Sequence, residues 1–240
     1  LTFNNIHISD MEGHTGKLNG YLHYKHFKNL NYRFEIQADN MLVMNTKESA
    51  DMPFYGTVYG TGNVMLSGNA AQGLEVNAAM TTNRNTIFTY INGSVASATS
   101  NQFIKFVDKT PRRTIQDSVQ IISYYDQIQQ KRQAETEEQK TDIRLNILAD
   151  ATPDATMRII MDPVAGDYIS GKGTGNIRTE FYNKGDVKMF GNYRINQGVY
   201  KFSLQEVIRK DFLIKDGSTI TFNGAPLDAN MDIQASYTVN

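Results

Sequence analysis

The stretch from Gly191 to Tyr237, GNYRINQGVYKFSLQEVIRKDFLIKDGSTITFNGAPLDANMDIQASY, constrains this chain most. It is a run of short segments that alternate apolar and polar residues and are cut by glycines, the pattern of β-strands with one apolar face. In the last segment Leu227, Ala229, Met231, Ile233, Ala235 and Tyr237 fall on one side, and Asp228, Asn230, Asp232, Gln234 and Ser236 on the other. Such a face must be covered or used, because leaving it in water is unfavourable.

The same rhythm fills most of the 240 residues. Strands are predicted near 3–8, 17–27, 32–44, 54–60, 63–69, 73–80 and 86–91. Gly60-Thr61-Gly62, Gly68-Asn69, Gly73 and Asn92-Gly93 read as the turns between them. Further on, Ile143, Leu145, Ile147 and Ala149 alternate into Thr152-Pro153-Asp154, and Met157, Ile159 and Met161 alternate beyond it, which reads as a hairpin. More strands follow near 174–182, 186–195, 198–204, 206–214, 218–223 and 227–237. Between the two sets, Ile115, Val119 and Ile122 recur near helical spacing, and 129–140 is polar almost throughout. The expectation is an all-β protein: a strand-rich segment 1–107, a partly helical or flexible insertion at 108–142, and a second β segment 143–240 continuous with the first. The chain begins in mid-pattern without methionine and reads as a piece of a longer protein.

Composition removes several functions. With 24 basic and 25 acidic residues there is no field to hold nucleic acid. Cysteine is absent, so no disulfide, thiolate metal site or cysteine nucleophile forms. Gly166-Asp-Tyr-Ile-Ser-Gly171-Lys172-Gly173 nearly matches a phosphate-binding loop. However, Gly173 stands where a hydroxyl should hold magnesium, and residues 176–181 alternate like a strand, not a helix. A glycine-rich bend between strands is expected there instead. His7, His14, His23 and His26 do not converge, because His23 and His26 point to opposite faces of a strand. No nucleophile elbow or carboxylate pair assembles, so no enzyme and no cofactor is expected. Met157, Met161, Met189 and Met231 lie on apolar strand faces, either as core fillers or as an adaptable apolar surface.

Gly191, Tyr193, Ile195, Gly198, Tyr200 and Phe202 resemble the G-x-Y-x-I-x-x-G-x-Y-x-F pattern of the TamB family of translocation and assembly module proteins. Lys210, Phe212, Ile214, Gly217, Ser218, Ile220, Phe222, Gly224 and Pro226 are similar to the family's next segment, and Ile233, Ala235 and Tyr237 to the strand after it. Thr152-Pro-Asp-Ala155 and Gly171-Lys-Gly173-Thr-Gly175 look like forms from the Bacteroidetes branch. The resemblance implies an elongated, curled β-sheet, a "β-taco" with an apolar groove, in the AsmA-like, bridge-like lipid-transfer superfamily. It implies an inner-membrane-anchored periplasmic protein that engages an outer-membrane assembly barrel, TamA or its lipoprotein counterpart.

The expected function is a non-enzymatic periplasmic bridge that carries phospholipid between the membranes. Its groove would hold acyl chains along Leu145, Ile147, Met157, Ile159, Met161, Met189, Ile195, Leu227, Met231, Ile233 and Tyr237. The alternative is a scaffold that assists outer-membrane protein assembly by strand addition. A third reading, a closed sandwich that binds or hydrolyses glycans, calls for aromatics or carboxylates gathered in a cleft.

Overall fold

The computed structural model describes residues 1–25, 28–49, 52–69, 71–91, 141–163, 165–204 and 208–237. The strands are β1 (Thr2–Ser9), β2 (Thr15–Lys25), β3 (Lys28–Thr46), β4 (Phe54–Asn69), β5 (Gly73–Thr82), β6 (Ile87–Ile91), β7 (Ile143–Ala151), β8 (Thr156–Asp162), β9 (Asp167–Tyr182), β10 (Lys188–Leu204), β11 (Ile208–Ile214), β12 (Ser218–Gly224), β13 (Asn230–Asp232) and β14 (Ala235–Ser236). A single 3-10 turn, Pro226–Asp228, interrupts them. The expected all-β class holds.

All fourteen strands belong to one sheet, with β1 at one edge and β13 and β14 at the other. Three strands are long enough to carry two partners end to end. β4 takes β5 and then β6, β9 takes β7 and then β8, and β10 takes β11 and then β12. β5 also pairs with β7 and β6 with β8, both in parallel, so β4–β5–β7–β9–β8–β6 closes a six-strand, barrel-like circuit in the curled sheet. Parallel neighbours need a crossover of a dozen residues or more, and Ile91 and Ile143 are far enough apart in sequence to allow one. The chain divides into two compact units. The sheet belongs to Leu1–Ser100 with Asp142–Asn240. The other unit, Asn101–Thr141, lies outside the described residues except for Thr141, and so does nearly all of the insertion expected at 108–142.

Two expectations change at this level. Residues 143–161 are not a hairpin: β7 and β8 both run antiparallel to β9, so they run the same way and share one edge. Thr152–Ala155 is a jog between them rather than a reversal. The glycines also do not end strands as read. β4 passes through Gly60 and Gly62, β9 through Gly171 and Gly173, and β10 through Gly198. At Gly191, with φ 120°, a Cβ would overlap the carbonyl oxygen of Asn176 on the neighbouring strand. Glycine here lets two strands approach and bend without breaking the ladder.

The jogs and bulges line up. Register shifts at Ala38/Met41 in β3, gaps at 83–86 and 152–155, a shift at Ile195/Gln197 in β10, and a gap at 215–217 face one another from strand to strand. They form a crease across the sheet, and short polar side chains pin it. The Asn40 N–H donates to Thr61 Oγ1 at 2.9 Å, and Thr61 Oγ1 donates to Asn83 Oδ1 at 3.1 Å. The Tyr59 N–H donates to Thr86 Oγ1 at 3.0 Å, while that hydroxyl donates to the Tyr59 carbonyl at 3.1 Å. Thr152 repeats the exchange with Thr82: its N–H donates to Thr82 Oγ1, and its hydroxyl to the Thr82 carbonyl, each at 2.9 Å. At the far side the Gln234 N–H donates to Ser218 Oγ at 3.0 Å, and that hydroxyl donates to the Lys215 carbonyl at 2.9 Å. Bulges strengthen local twist and bend a strand, so an aligned set curls the whole sheet.

Thr86 is 2% exposed, so its removal leaves the Tyr59 N–H buried and unpaired. Thr86→Val is expected to lower unfolding free energy by about 1–3 kcal/mol, read from the midpoint of a denaturant titration. An unchanged midpoint would show that the crease does not need this pin.

Candidate functional site

In strands every second side chain shares a face, and directly paired residues lie side by side. The register therefore draws rows across the sheet. Phe34, Leu66, Val76, Leu145 and Phe181 form one. Ile36, Val64, Ala78 and Ile147 form the next. Beyond the crease, Phe54, Tyr90, Ile159, Ile169, Tyr200 and Phe212 form another. All lie on one apolar face that runs from β1 to β14.

This face is packed shut at one side and open at the other. Around β8–β12 the core holds Ile159, Ile169, Ile177, Met189, Tyr193, Ile195, Ile214, Ile220 and Phe222. Ile159 is 4% exposed and Ile195 1%. Burial pushes the Tyr193 phenol up to about 12, and its hydroxyl donates to the Gly171 carbonyl at 3.2 Å. Over β2–β5 and β7 the same face is only half covered: Phe34, Ile36, Val64, Leu66, Val76, Leu145 and Ile147 all keep partial exposure.

The expected lining residues divide accordingly. Leu145 and Ile147 sit on the half-open part. Met189, Ile159 and Ile195 are inside the packed core, and Met157, Met161, Met231 and Ile233 are partly buried against it. Leu227 stands apart: the strand expected over 227–237 begins only at Asn230, and Leu227 is 66% exposed on the 3-10 turn. Pro226 sets that turn at its first position, because its fixed φ suits a helical start. Tyr237 is near the edge, its ring 5.6 Å from Phe212. The sequence reading drew its lining only from 143–240. The N-terminal rows carry the same alternation, in Tyr32, Phe34, Ile36 and Ala38, and belong to the same face.

The opposite face is polar. Asn19, Glu35, Met65, Asn77 and Asn146 form a row there, and a shallow cavity of about 500 Å³ opens on it, lined chiefly by these with Gln37, Asn63 and Arg178. Of the Gly166–Gly173 segment, Gly166 stays in the turn before β9, while Gly171 and Gly173 lie inside β9 rather than between strands, opposite the β10 bulge at Ile195/Gln197. The ladder holds because the neighbouring strand's backbone, the Arg194 carbonyl included, fills the space a side chain at Gly173 would need. His7 and His23 are exposed, His23 with its ring 4.8 Å from Tyr21, and His26 lies outside the described residues. No cluster of potential metal ligands occurs among the described residues.

One polar network escaped the sequence reading. The Asp10 side chain, in the β1–β2 turn, is 6% exposed. Its carboxylate accepts from the N–H groups of Leu42 (3.0 Å), Glu12 (2.9 Å) and His14 (2.9 Å), and meets His14 Nδ1 at 2.9 Å. The Tyr59 hydroxyl donates to Glu12 at 2.7 Å. Burial alone would raise the Asp10 carboxyl, but the Leu42 N–H, the His14 side chain and N–H, and the Glu12 N–H outweigh it. Together they hold the group well below the usual carboxylate range. Hydrogen bonding to Glu12 and desolvation raise the Tyr59 phenol. The network ties the first turn down onto β3 and β4, at the end of the crease.

The sequence model of the TamB C-terminal domain matches residues 4–240, and the chain belongs to that family. The family places it in the translocation and assembly system that serves the outer membrane, in association with TamA-type machinery of the bacterial envelope. No curated protein and no solved structure matches it. Among the described residues no helix is long and apolar enough to cross a membrane.

A carboxyl held low in the folded state stabilises it above the ordinary carboxylate range, and that stability is lost as pH falls toward the folded value. Stability is therefore expected to decline from about pH 5 downward, with Asp10→Asn less stable at neutral pH and flatter in acid. Thermal melts across pH 2–7 read this, and parallel curves for the two proteins would remove Asp10 from the account.

Proposed function

We propose that this domain is a segment of a lipid conduit, in which phospholipid acyl chains lie against the half-open apolar face while the polar face meets the periplasm. The observation that carries the reading is the apolar face over β2–β5 and β7, where Phe34, Ile36, Val64, Leu66, Val76, Leu145 and Ile147 fall in two adjoining rows that the domain's own side chains cover only in part. Apolar burial is non-directional, so a chain can slide along such rows without losing its contacts. Each methylene kept from water contributes about 0.8 kcal/mol, and no bond needs to be made or broken. The row from Phe34 to Phe181 crosses five strands, and neighbouring strands lie about 4.8 Å apart, so it offers an apolar path of about 19 Å.

Strand addition to client proteins is the second reading, and β1 favours it. Among the described residues β1 pairs with β2 alone, and such an edge offers backbone groups to another strand. The two readings separate on the apolar face. Ile159 is unsuited to the test, because an aspartate in that packed core unfolds the domain whatever the function. Leu145 and Ile147 are half exposed and serve better.

The conduit predicts phospholipid bound to the purified domain by mass spectrometry. It predicts a loss of roughly tenfold when Leu145→Asn and Ile147→Asn are combined, the effect of about 1.4 kcal/mol, with the melting curve retained. Undiminished lipid in the double variant, or none in the unaltered domain, would sink it. Strand addition predicts instead that the double variant still supports outer-membrane protein assembly in cells.

A further inference from the structure

The apolar face ends, at the β10–β11 end of the sheet, in aromatic rings and a cation. Tyr200 lies 6.1 Å from Phe202 and 6.1 Å from Phe212, ring centre to centre, and Phe212 lies 5.6 Å from Tyr237. Lys210 pairs with Phe202 in register and stands two residues from Phe212, so it shares this face. Its ammonium is 4.1 Å from the centre of the Tyr237 ring and donates to the Tyr237 hydroxyl at 2.7 Å. A lysine on an apolar face is costly unless something charged or polar meets it. Among the described residues no carboxylate pairs with it.

The hydrogen-bond chemistry of this pair is one-sided. Tyr237 oxygen accepts from Lys210, which leaves the phenol proton free to be donated, and the ammonium keeps two further N–H groups. The pair therefore presents donors and positive charge to whatever lies over it. The rings beside it are half exposed, and Tyr237 is 41% exposed. Tyrosine and lysine are the side chains whose polar tips and apolar stems suit a boundary between hydrocarbon and water. Beyond Tyr200 the same row passes into the packed core at Ile169 and Ile159, so the rings form the outer end of that row.

We propose that Lys210 and Tyr237 form a headgroup site, which holds the phosphate of a phospholipid while the first part of its chains lies over the half-buried rings of Phe212, Tyr200 and Phe202. The proposal rests on the conduit reading and adds to it a fixed polar end. The ammonium and the phenol O–H donate to phosphate oxygens, a charge-assisted arrangement. The four rings cover the glycerol and the first methylenes. A lipid would then enter or leave this domain with its headgroup at the β10–β11 end.

The test uses the purified domain and three probes in a calorimetric titration: dihexanoylphosphatidylglycerol, the matched dihexanoylglycerol without phosphate, and inorganic phosphate. The expected result is that the phospholipid binds more tightly than the diacylglycerol and that inorganic phosphate binds far more weakly than either. Lys210→Met, which keeps the apolar stem, should weaken the phospholipid about tenfold and leave the diacylglycerol unchanged. Lys210→Arg should restore phospholipid binding, which a merely structural role for the lysine stem would not predict. Equal binding of the two lipids, unaltered in Lys210→Met, overturns the headgroup site and leaves the conduit standing. Binding of neither lipid overturns both. Inorganic phosphate binding as tightly as the phospholipid overturns the lipid source of the anion.

Discussion

The crease is the constraint on which the rest of this structure depends. A sheet with one apolar face and strands of sixteen to nineteen residues has no partner sheet among the described residues to cover that face. It must fold over itself or leave the face in water. The bulges and jogs from Ala38/Met41 to 215–217 supply a line along which it bends. Threonine and serine hydroxyls bond the backbone groups that the interruptions release, so the bend leaves few buried groups unpaired. The Asp10 network fastens one end of this line and Ser218 the other.

The bend acts unequally on the two sides. Around β8–β12 it brings the apolar rows together into a core that includes Ile159, Met189, Ile195 and Ile220. Over β2–β5 and β7 the rows lie open. One sheet thus both covers its apolar face and leaves part of it half covered. The packed side buries the core, and the half-open side is where the proposed conduit would hold acyl chains. The aromatic end at Tyr200, Phe212 and Tyr237 lies where the packed rows meet solvent.

Much of this was legible in the sequence. Period-two alternation in 32–38 and 143–149 marks strands and their apolar side, and the glycine and aromatic spacing from Gly191 to Phe202 carries the family. What was not legible has two physical causes. Glycine marks both turns and close strand crossings, and only the neighbouring backbone decides which; hence Gly60, Gly62, Gly171 and Gly173 read as breaks but lie within strands. Pairing partners are equally hidden: Thr152-Pro153-Asp154 has the composition of a reversal, yet β7 and β8 share an edge of β9. Alternation finds the face, but it does not separate Ile159, sealed in the core, from Ile147, which is half-buried, because burial depends on where the sheet bends.

The central claim is that the apolar face of the half-open side, and not the polar face behind it, contacts lipid. Neighbouring residues on β3 and β4 test this directly, since Ile36 and Val64 lie on one face and Gln37 and Asn63 on the other. A photo-reactive amino acid placed at each of the four positions in cells, with crosslinked phospholipid read by mass spectrometry after irradiation, compares the faces at matched depth. Capture of phospholipid at 36 and 64 but not at 37 and 63 is the predicted result. Equal capture on both faces, or capture confined to 37 and 63, would contradict the account.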